Sequence, residues 1–514
     1  MNGLGRWGFA VLCGLSATAA RPADETFDAN PTYDLGTPAL TDVWVDSAAG
    51  NDAAAGTARE TALRSLQAAF ARVPGDLTRA ATGYRLRLTA GSYVTGPRPG
   101  LWLEGRRGTR DHPLLIESVD GPQKAVLPPF TLAKCSYAYL IGLKLVSSEK
   151  FPRDILLHVI ASDHVLVRNV VAAAAGTTRE TLPFVNGKCD QSQYLFFEDC
   201  EFDGGDVVDL DLVACQFGHI VRSKFHRSFL EGVTLKGGSA GFIVAGNEIW
   251  DSRVFGFCAG EGTGFQYMVK PWIHYEAYDL KFVNNVIHDT GGPAVSVAGG
   301  YNCLVAFNTC FRVARYNSPI AVGYGGRSPG SGKWDATCDD YLKAGGWCSR
   351  KLDGVIPSKN VYVLNNLVLN DSFASERACF GIAGPLKTPE DGNLPREVRA
   401  DDGLILRGNV IRNGPANHPA LGPVSDGATT GHDEALLAKE NSINRVALRL
   451  AAPAQGDFRA IQESLADVQG AAIPNFAGGD LPRQPAAPPG RLCNQPSCDR
   501  AGVPRRGLSP GAWQ

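Results

Sequence analysis

One phrase, repeated at a near-constant interval, limits what this chain can fold into. Its fullest copy is Glu231–Asp251, EGVTLKGGSAGFIVAGNEIWD: a strand (GVTLKGG), a tight turn, a second strand (FIVAG), an Asn and a third short strand. Aligned on that Asn, the phrase returns as VLVRN at Asn169, YLFFED at Asp199, HIVRS at Ser223, LKFVNN at Asn285, CLVAFN at Asn308, VYVLNN at Asn366 and LILRGN at Asn409. The intervals, taken in order through Asn247, are 30, 24, 24, 38, 23, 58 and 43 residues, a base period near 24 with insertions, which is the signature of a solenoid. Each strand alternates apolar with polar residues, as Val233 and Leu235 against Thr234 and Lys236, and is too short to be stable alone. It buries a face only by stacking on copies of itself. Asn, with Asp and Ser as substitutes, tolerates the left-handed backbone of a sharp corner, and its side chain can bond along the stack. The expected fold is all-β: a right-handed, single-stranded parallel β-helix with about three strands per coil and ~4.8 Å between coils.

The chain has 514 residues, 44% hydrophobic, with a formal net charge of −2, so a large core is affordable and no electrostatic reason points to nucleic acid as a partner. Met1–Ala20 carries Arg6, an apolar run Trp7–Leu15 and then Ala17-Thr18-Ala19, the pattern of a cleaved secretory leader; no membrane span is expected in the rest. The chain thus reads as a secreted or periplasmic monomer. Removing Cys13 from the 13 cysteines leaves 12, an even number for an oxidising compartment. Cys338 with Cys348, and Cys493 with Cys498, are the expected disulfides, and Cys310 reads as a buried thiol. Residues 21–40 form an extended lead-in. Within Thr61–Val73, Leu63, Leu66, Ala69, Phe70 and Val73 fall at helical spacing and suit a helix capping the open end of a solenoid. The β-helix is expected over 41–430, and 431–514 as a C-terminal cap or tail.

Two insertions, Gly260–Tyr278 and Gly325–Lys359, follow the strand position held by GVTLKGG and should wall one side of a groove. Such a groove presents equivalent positions every ~4.8 Å and suits an extended polymer, so a polysaccharide is the expected partner. Lys236, outward by alternation and followed by two glycines, is the lead catalytic residue. To act as a base near pH 7 its pKa must fall from about 10.4. Lys188 lies 11 residues before Asp199 as Lys236 lies 11 before Asn247, which places the two lysines in one column, two coils apart. Asp209 and Asp211 alternate outward against Val208, Leu210 and Leu212, ~7 Å apart, and could hold Ca²⁺ or serve as a glycosidase acid/base pair. Glu261 follows the equivalent position one coil on, and Tyr324 and Arg327 share that column before the second insertion. Arg227 and Arg253 sit on the turns leading into the groove as further catalytic candidates. Trp272, His274 and Tyr275 of PWIHYEAY are candidate substrate contacts. Plainer readings stand beside each: an ordinary outward lysine, aspartates that cap turns, an aromatic insertion packed on its own scaffold.

The segment VWVDSAAGNDAAAGT, TALRSLQAAFARV, YRLRLTAGSY resembles the N-terminal cap and first coil of the pectate-lyase-like (pectin lyase fold) superfamily, and the repeats to Asn413 resemble its body. The resemblance implies an exported polysaccharide lyase that cleaves beside a uronate by β-elimination. A base removes the proton next to the carboxylate, and Arg, Lys or Ca²⁺ stabilises the enolate. Lys236 alone is carried over, as similar to the lysine base of some lyases of this superfamily. The motif vWiDH is absent, as is the polygalacturonase set of NTD, a DD pair, GHG and RIK. The same architecture also hosts hydrolases, epimerases, phage tailspikes and adhesins. Two other expectations therefore stand beside the lyase: a noncatalytic carbohydrate-binding or cell-surface protein, and a glycoside hydrolase using Asp209, Asp211 or Glu261.

Overall fold

The structure is a computed structural model. It describes residues 30–94, 100–147, 153–328, 334–349, 355–370, 377–388, 390, 392–422, 432–466, 468 and 470–473. The leader-like segment 1–20 and the Cys493–Cys498 pair lie outside the described residues.

Among the described residues, three parallel sheets of 13, 11 and 12 strands run side by side. The chain visits them in rotation: Gln193–Glu198 in the first, Glu201–Asp203 in the third, Val208–Val213 in the second, then Gln216–Val221 back in the first. One circuit is one coil of three strands, wound in the right-handed sense that connections between parallel strands take. Neighbouring coils pair in step, Phe197 beside Ile220 and Ile220 beside Val244, so every inward position stacks on its equivalent. The interior is a continuous column of Leu, Val, Ile and Phe; Phe202 lies 5.4 Å from Phe225 and Phe257 4.0 Å from Phe282, ring to ring.

The corner residues divide the task that the repeat assigned to one Asn. Asn169, Asp199, Arg222, Gly246, Asn284, Phe307, Asn365 and Gly408 all have φ between 53° and 69°, so the left-handed turn belongs to the residue before the stack. The stack itself is Cys200, Ser223, Asn247, Asn285, Asn308, Asn366, Asn409 and Asn441. Each Asn from Asn247 to Asn409 donates its side-chain amide to the Oδ1 of the next at 2.8–3.0 Å, and that same oxygen accepts its backbone N–H. Asn169 and Asp199 therefore belong to the turn and not to the stack. The ladder and the third sheet also continue past residue 430, to Asn441 and Ser442–Ile443.

Segments outside the coils pack against them. The helix Leu66–Arg72, shorter than the expected 61–73, is capped by Ser65 and buries Leu66, Ala69 and Phe70, with the Phe70 ring 6.0 Å from Phe130. Beyond the helix Glu434–Glu440, the hairpin Leu450–Ala452 and Asp457–Ala460 lays Leu450 and Phe458 on Val286, Leu367, Leu369 and Val410, on the outer face of the third sheet. The lead-in crosses the first sheet with Tyr33 stacked on Phe196 at 4.4 Å. Cys338 and Cys348 form the expected disulfide, and Cys310 is one of eight buried thiols among the described residues. No helix among the described residues is long and apolar enough to cross a membrane.

The ladder should be expensive to break. Asn285→Ala removes two buried donors' worth of bonds and orphans the backbone N–H of Asn247, for a cost of about 2 kcal/mol or more. Urea unfolding followed by circular dichroism should show the midpoint fall; an unchanged midpoint would make the stack incidental.

Candidate active site

Four consecutive strands of the second sheet build the site: β1 (Val185–Asp190), β2 (Val208–Val213), β3 (Glu231–Lys236) and β4 (Phe255–Gly260). Their inward residues, Cys189, Leu210, Leu212, Val233, Leu235, Phe257 and Ala259, lie in the core. Alternation aims the others outward, where registration forms two columns. One holds Lys188, Asp211, Thr234 and Cys258; the next holds Asp190, Val213 and Lys236.

Lys188 and Lys236 are thus in adjacent columns, not in one. Counting from Asp199 misplaced Lys188 because the stack position is Cys200, and the Gly237-Gly238 turn adds one residue between Lys236 and Asn247. That turn needs glycine: a Cβ at Gly238 would lie 2.1 Å from the carbonyl oxygen of Trp272.

Opposite charges alternate across the columns. The Lys188 ammonium lies 2.6 Å from Asp211 and 3.4 Å from Asp190, and Asp190 in turn meets His158 at 2.7 Å. Lys236 pairs with Glu261, which follows β4. Burial alone would lower both lysines, but the carboxylates outweigh it: Asp211 and Glu261 raise Lys236, and Asp211 and Asp190 raise Lys188. The pairing with Glu261 and the charge of Asp211 favour the ammonium form of Lys236 over the neutral form that a base requires.

A further carboxylate at this site, Glu231, is one that alternation hides. Parity with Val233 and Leu235 aims it at the core, but it is the first residue of β3, and its register partners Val208 and Phe255 both lie outside the core cluster. Its carboxylate turns out and accepts the Thr234 hydroxyl at 2.6 Å. Burial, together with the Glu261 charge, pushes the Glu231 carboxyl up to about 7. The only sequence sign was a carboxylate opening the groove strand. The cluster reaches solvent through Glu261, its side chain 40% exposed, and Lys236, 18% exposed.

Asp209 and Asp211 do face away from the core, but they are buried rather than open. Asp209 accepts Asn186 Nδ2 at 3.2 Å and the Gly205 N–H at 2.9 Å, and burial raises its carboxyl well above the ordinary range. Asp209 is closed in by Asn186 and Gly205, and Asp211 already holds the Lys188 ammonium. Among the described residues no group of three or more His, Cys, Asp or Glu is arranged to hold a metal.

The insertions leave the second sheet after β4 and after Ile320–Gly323 and join into one wall. Gly262–Gly264 pairs in parallel with Gly326–Ser328, and the first insertion reaches back so that Gln191 Nε2 donates to the Tyr267 carbonyl at 3.3 Å. Several candidate binding residues serve this wall. Trp272 packs on Tyr278 at 5.1 Å; His274 and Tyr275 pack on Trp347 at 5.1 and 4.9 Å. Tyr324 donates its hydroxyl to the backbone carbonyls of Gly384 and Val398. Arg327, 4% exposed, is paired with the fully buried Glu276. Trp272, His274, Tyr275 and Arg327 thus brace the insertions, and Tyr324 ties them to the later loop at Gly384 and Val398. Arg227, paired with Asp203, and Arg253, 5.0 Å over the Phe229 ring, precede the strands and so stand ~16 Å from the Lys236 end. A cavity of about 150 Å³ between Asp199, Glu201, Arg222 and Lys224 lies on another corner, where Asp199 pairs with Arg222 and Glu201 with His226.

No protein-family model matches this sequence, and no curated protein matches it. Solved structures do match along most of its length. A pectate lyase, Pel9A, shares 13% identity over 77% of this chain and 82% of its own, with a TM-score of 0.38; a rhamnogalacturonan lyase shares 11% over 76% and 86%, at 0.39. XylC in complex with xylose shares 8% over 88% and 98%, at 0.43. The chain is a parallel β-helix protein. That assignment rests on its own strand order and register, and the activities in those names belong to those proteins.

Glu231 makes the stability of this β-helix pH-dependent. Its folded-state pKa of about 7 lies above the ordinary 4.5, so its contribution is fully present below about pH 4.5 and is lost as pH rises through 7. Glu231→Gln should melt closer to wild type at pH 5 and gain on it at pH 8, by an amount on the order of 1–3 kcal/mol. Melting curves at the two pH values check this; a parallel offset at both would remove Glu231 as the titrating group.

Proposed function

We propose that this protein cleaves glycosidic bonds of a glycan laid along the outer face of β1–β4, by hydrolysis, with Glu231 as the general acid. The observation that carries the reading is one buried carboxyl held near neutrality, beside the lysine-held carboxylates of Glu261 and Asp211. Glycoside hydrolysis needs that division: a protonated carboxyl gives its proton to the leaving oxygen, and an ionised one activates water or stabilises the positive charge at the anomeric carbon. Glu261, the more exposed of the two, takes the second role, oriented by Lys236. The C1–O bond breaks, the Glu231 proton goes to the departing oxygen, and water forms the new C1–O bond as its proton passes to Glu261.

Elimination beside a uronate needs an unpaired cation at the reacting sugar, and both lysines here are already neutralised by Asp190, Asp211 and Glu261. One observation favours elimination as a second reading. Arg153 and Arg179 share the single carboxylate of Asp206, and Arg179 and Arg253 both lie over Phe229, at 4.6 and 5.0 Å, which leaves excess positive charge at the strand-start edge for an acidic glycan. The leader pattern of Met1–Ala20 and the Cys338–Cys348 disulfide support action outside the cytoplasm.

A panel of neutral and acidic glycans, assayed for reducing ends and for ultraviolet absorbance near 235 nm, tests the reading. New reducing ends without absorbance are expected, with loss of roughly 10²–10⁴-fold in Glu231→Gln and a rate that falls as pH rises through about 7. Absorbance rising with the reducing ends would establish elimination instead. Binding with neither signal would leave a noncatalytic carbohydrate-binding protein.

A further inference from the structure

Glu276 sits where three segments meet. It is fully buried, and its carboxylate accepts the Gly237 backbone N–H at 3.0 Å and the Thr263 hydroxyl at 2.7 Å while pairing with Arg327. Gly237 is the residue after Lys236, Thr263 lies two residues after Glu261, and Arg327 lies on the second insertion. The backbone adds two more ties: Gly238 N–H donates to the Glu276 carbonyl at 2.8 Å, and Glu276 N–H donates to Gly299 at 2.8 Å. The surrounding glycines make the room that the side chain occupies. A Cβ at Gly260 would lie 3.0 Å from the Glu276 Cβ, and one at Gly325 would lie 2.8 Å from its Cγ.

We propose that Glu276 is a positioning residue that fixes the Lys236–Glu261 pair from behind, with Arg327 holding its carboxylate in place. A filler of the insertion would make contacts anywhere along it; these contacts fall one residue from Lys236 and two from Glu261. A buried carboxylate that answers a guanidinium and two donors is strongly oriented, and removing its charge leaves Arg327 buried without a counter-charge, held only by the His274 and Gly326 carbonyls. The consequence for catalysis rests on the reading of Glu231 given above, because the Glu261 charge acts on Glu231. The geometric claim does not.

The test is amine labelling, which needs no substrate. Lys236 and Lys188 are acetylated with an N-hydroxysuccinimide ester, and their rates are compared by peptide mass spectrometry in wild type, Glu276→Gln, the double variant Glu276→Met/Arg327→Met, and the core variant Leu212→Ala. Loss of the Glu261 partner exposes the Lys236 amine, at ~tenfold in free-base fraction per pKa unit. The Lys236-to-Lys188 ratio is expected to rise several-fold in Glu276→Gln and to stay at the wild-type value in Leu212→Ala. The double variant leaves no buried charge unpaired and carries the same expectation if Glu276→Gln does not fold. An unchanged ratio, both lysines rising together, or failure of both variants to fold would overturn the proposal. A raised ratio in a protein whose Glu231→Gln variant keeps full activity would uphold the positioning role and discard the acid role of Glu231.

Discussion

The axial hydrogen bonding of coil on coil is what the rest of this molecule depends on. A strand of three residues, such as Glu248–Trp250, has no independent stability; it exists because Lys224–His226 lies below it and Val286–His288 above. The asparagine stack fixes the phase of each coil. From Asn285 to Asn441 each stack carbonyl oxygen answers two donors from the coil beneath, and a slip by one residue would bury those donors unpaired. With phase fixed, outward side chains on successive coils fall into columns about one strand spacing apart. That regularity makes a site from residues 23 to 30 positions apart in sequence.

Charge is arranged along the columns of the second sheet as neighbouring pairs. Lys188 between Asp190 and Asp211, and Lys236 against Glu261, are only partly exposed, so their attraction is screened less than on an open surface. The same partners that make an outward lysine tolerable in this setting keep it protonated. Desolvation does find expression, at Glu231, where no cation is in direct contact and a second carboxylate stands near. On the proposed reading, the acid is therefore a residue that an argument from outward-facing positions alone passes over.

The insertions supply the groove's relief. Parallel pairing of Gly262–Gly264 with Gly326–Ser328 merges two loops into one wall, and aromatic side chains that looked available for a ligand are used to weld it: Trp347 receives both His274 and Tyr275. The buried Glu276–Arg327 pair ties that wall to the turn after Lys236.

The sequence by itself determined the solenoid, its three strands per coil, the strand that carries the site, and the side from which both insertions leave. These follow from alternation and period, which are properties of local backbone geometry repeated many times. Only the tertiary structure decided the register between columns, because one extra residue in the Gly237-Gly238 turn and a stack position at Cys200 instead of Asp199 each shift the count by one. It also decided which carboxylates are buried and which lysines are paired. Whether Lys236 is a base or a fixed cation, and whether Glu231 faces core or groove, depends on partners brought by other coils and by the insertions. Electrostatic fields and burial sum over neighbours in space, and no pattern along the chain records them.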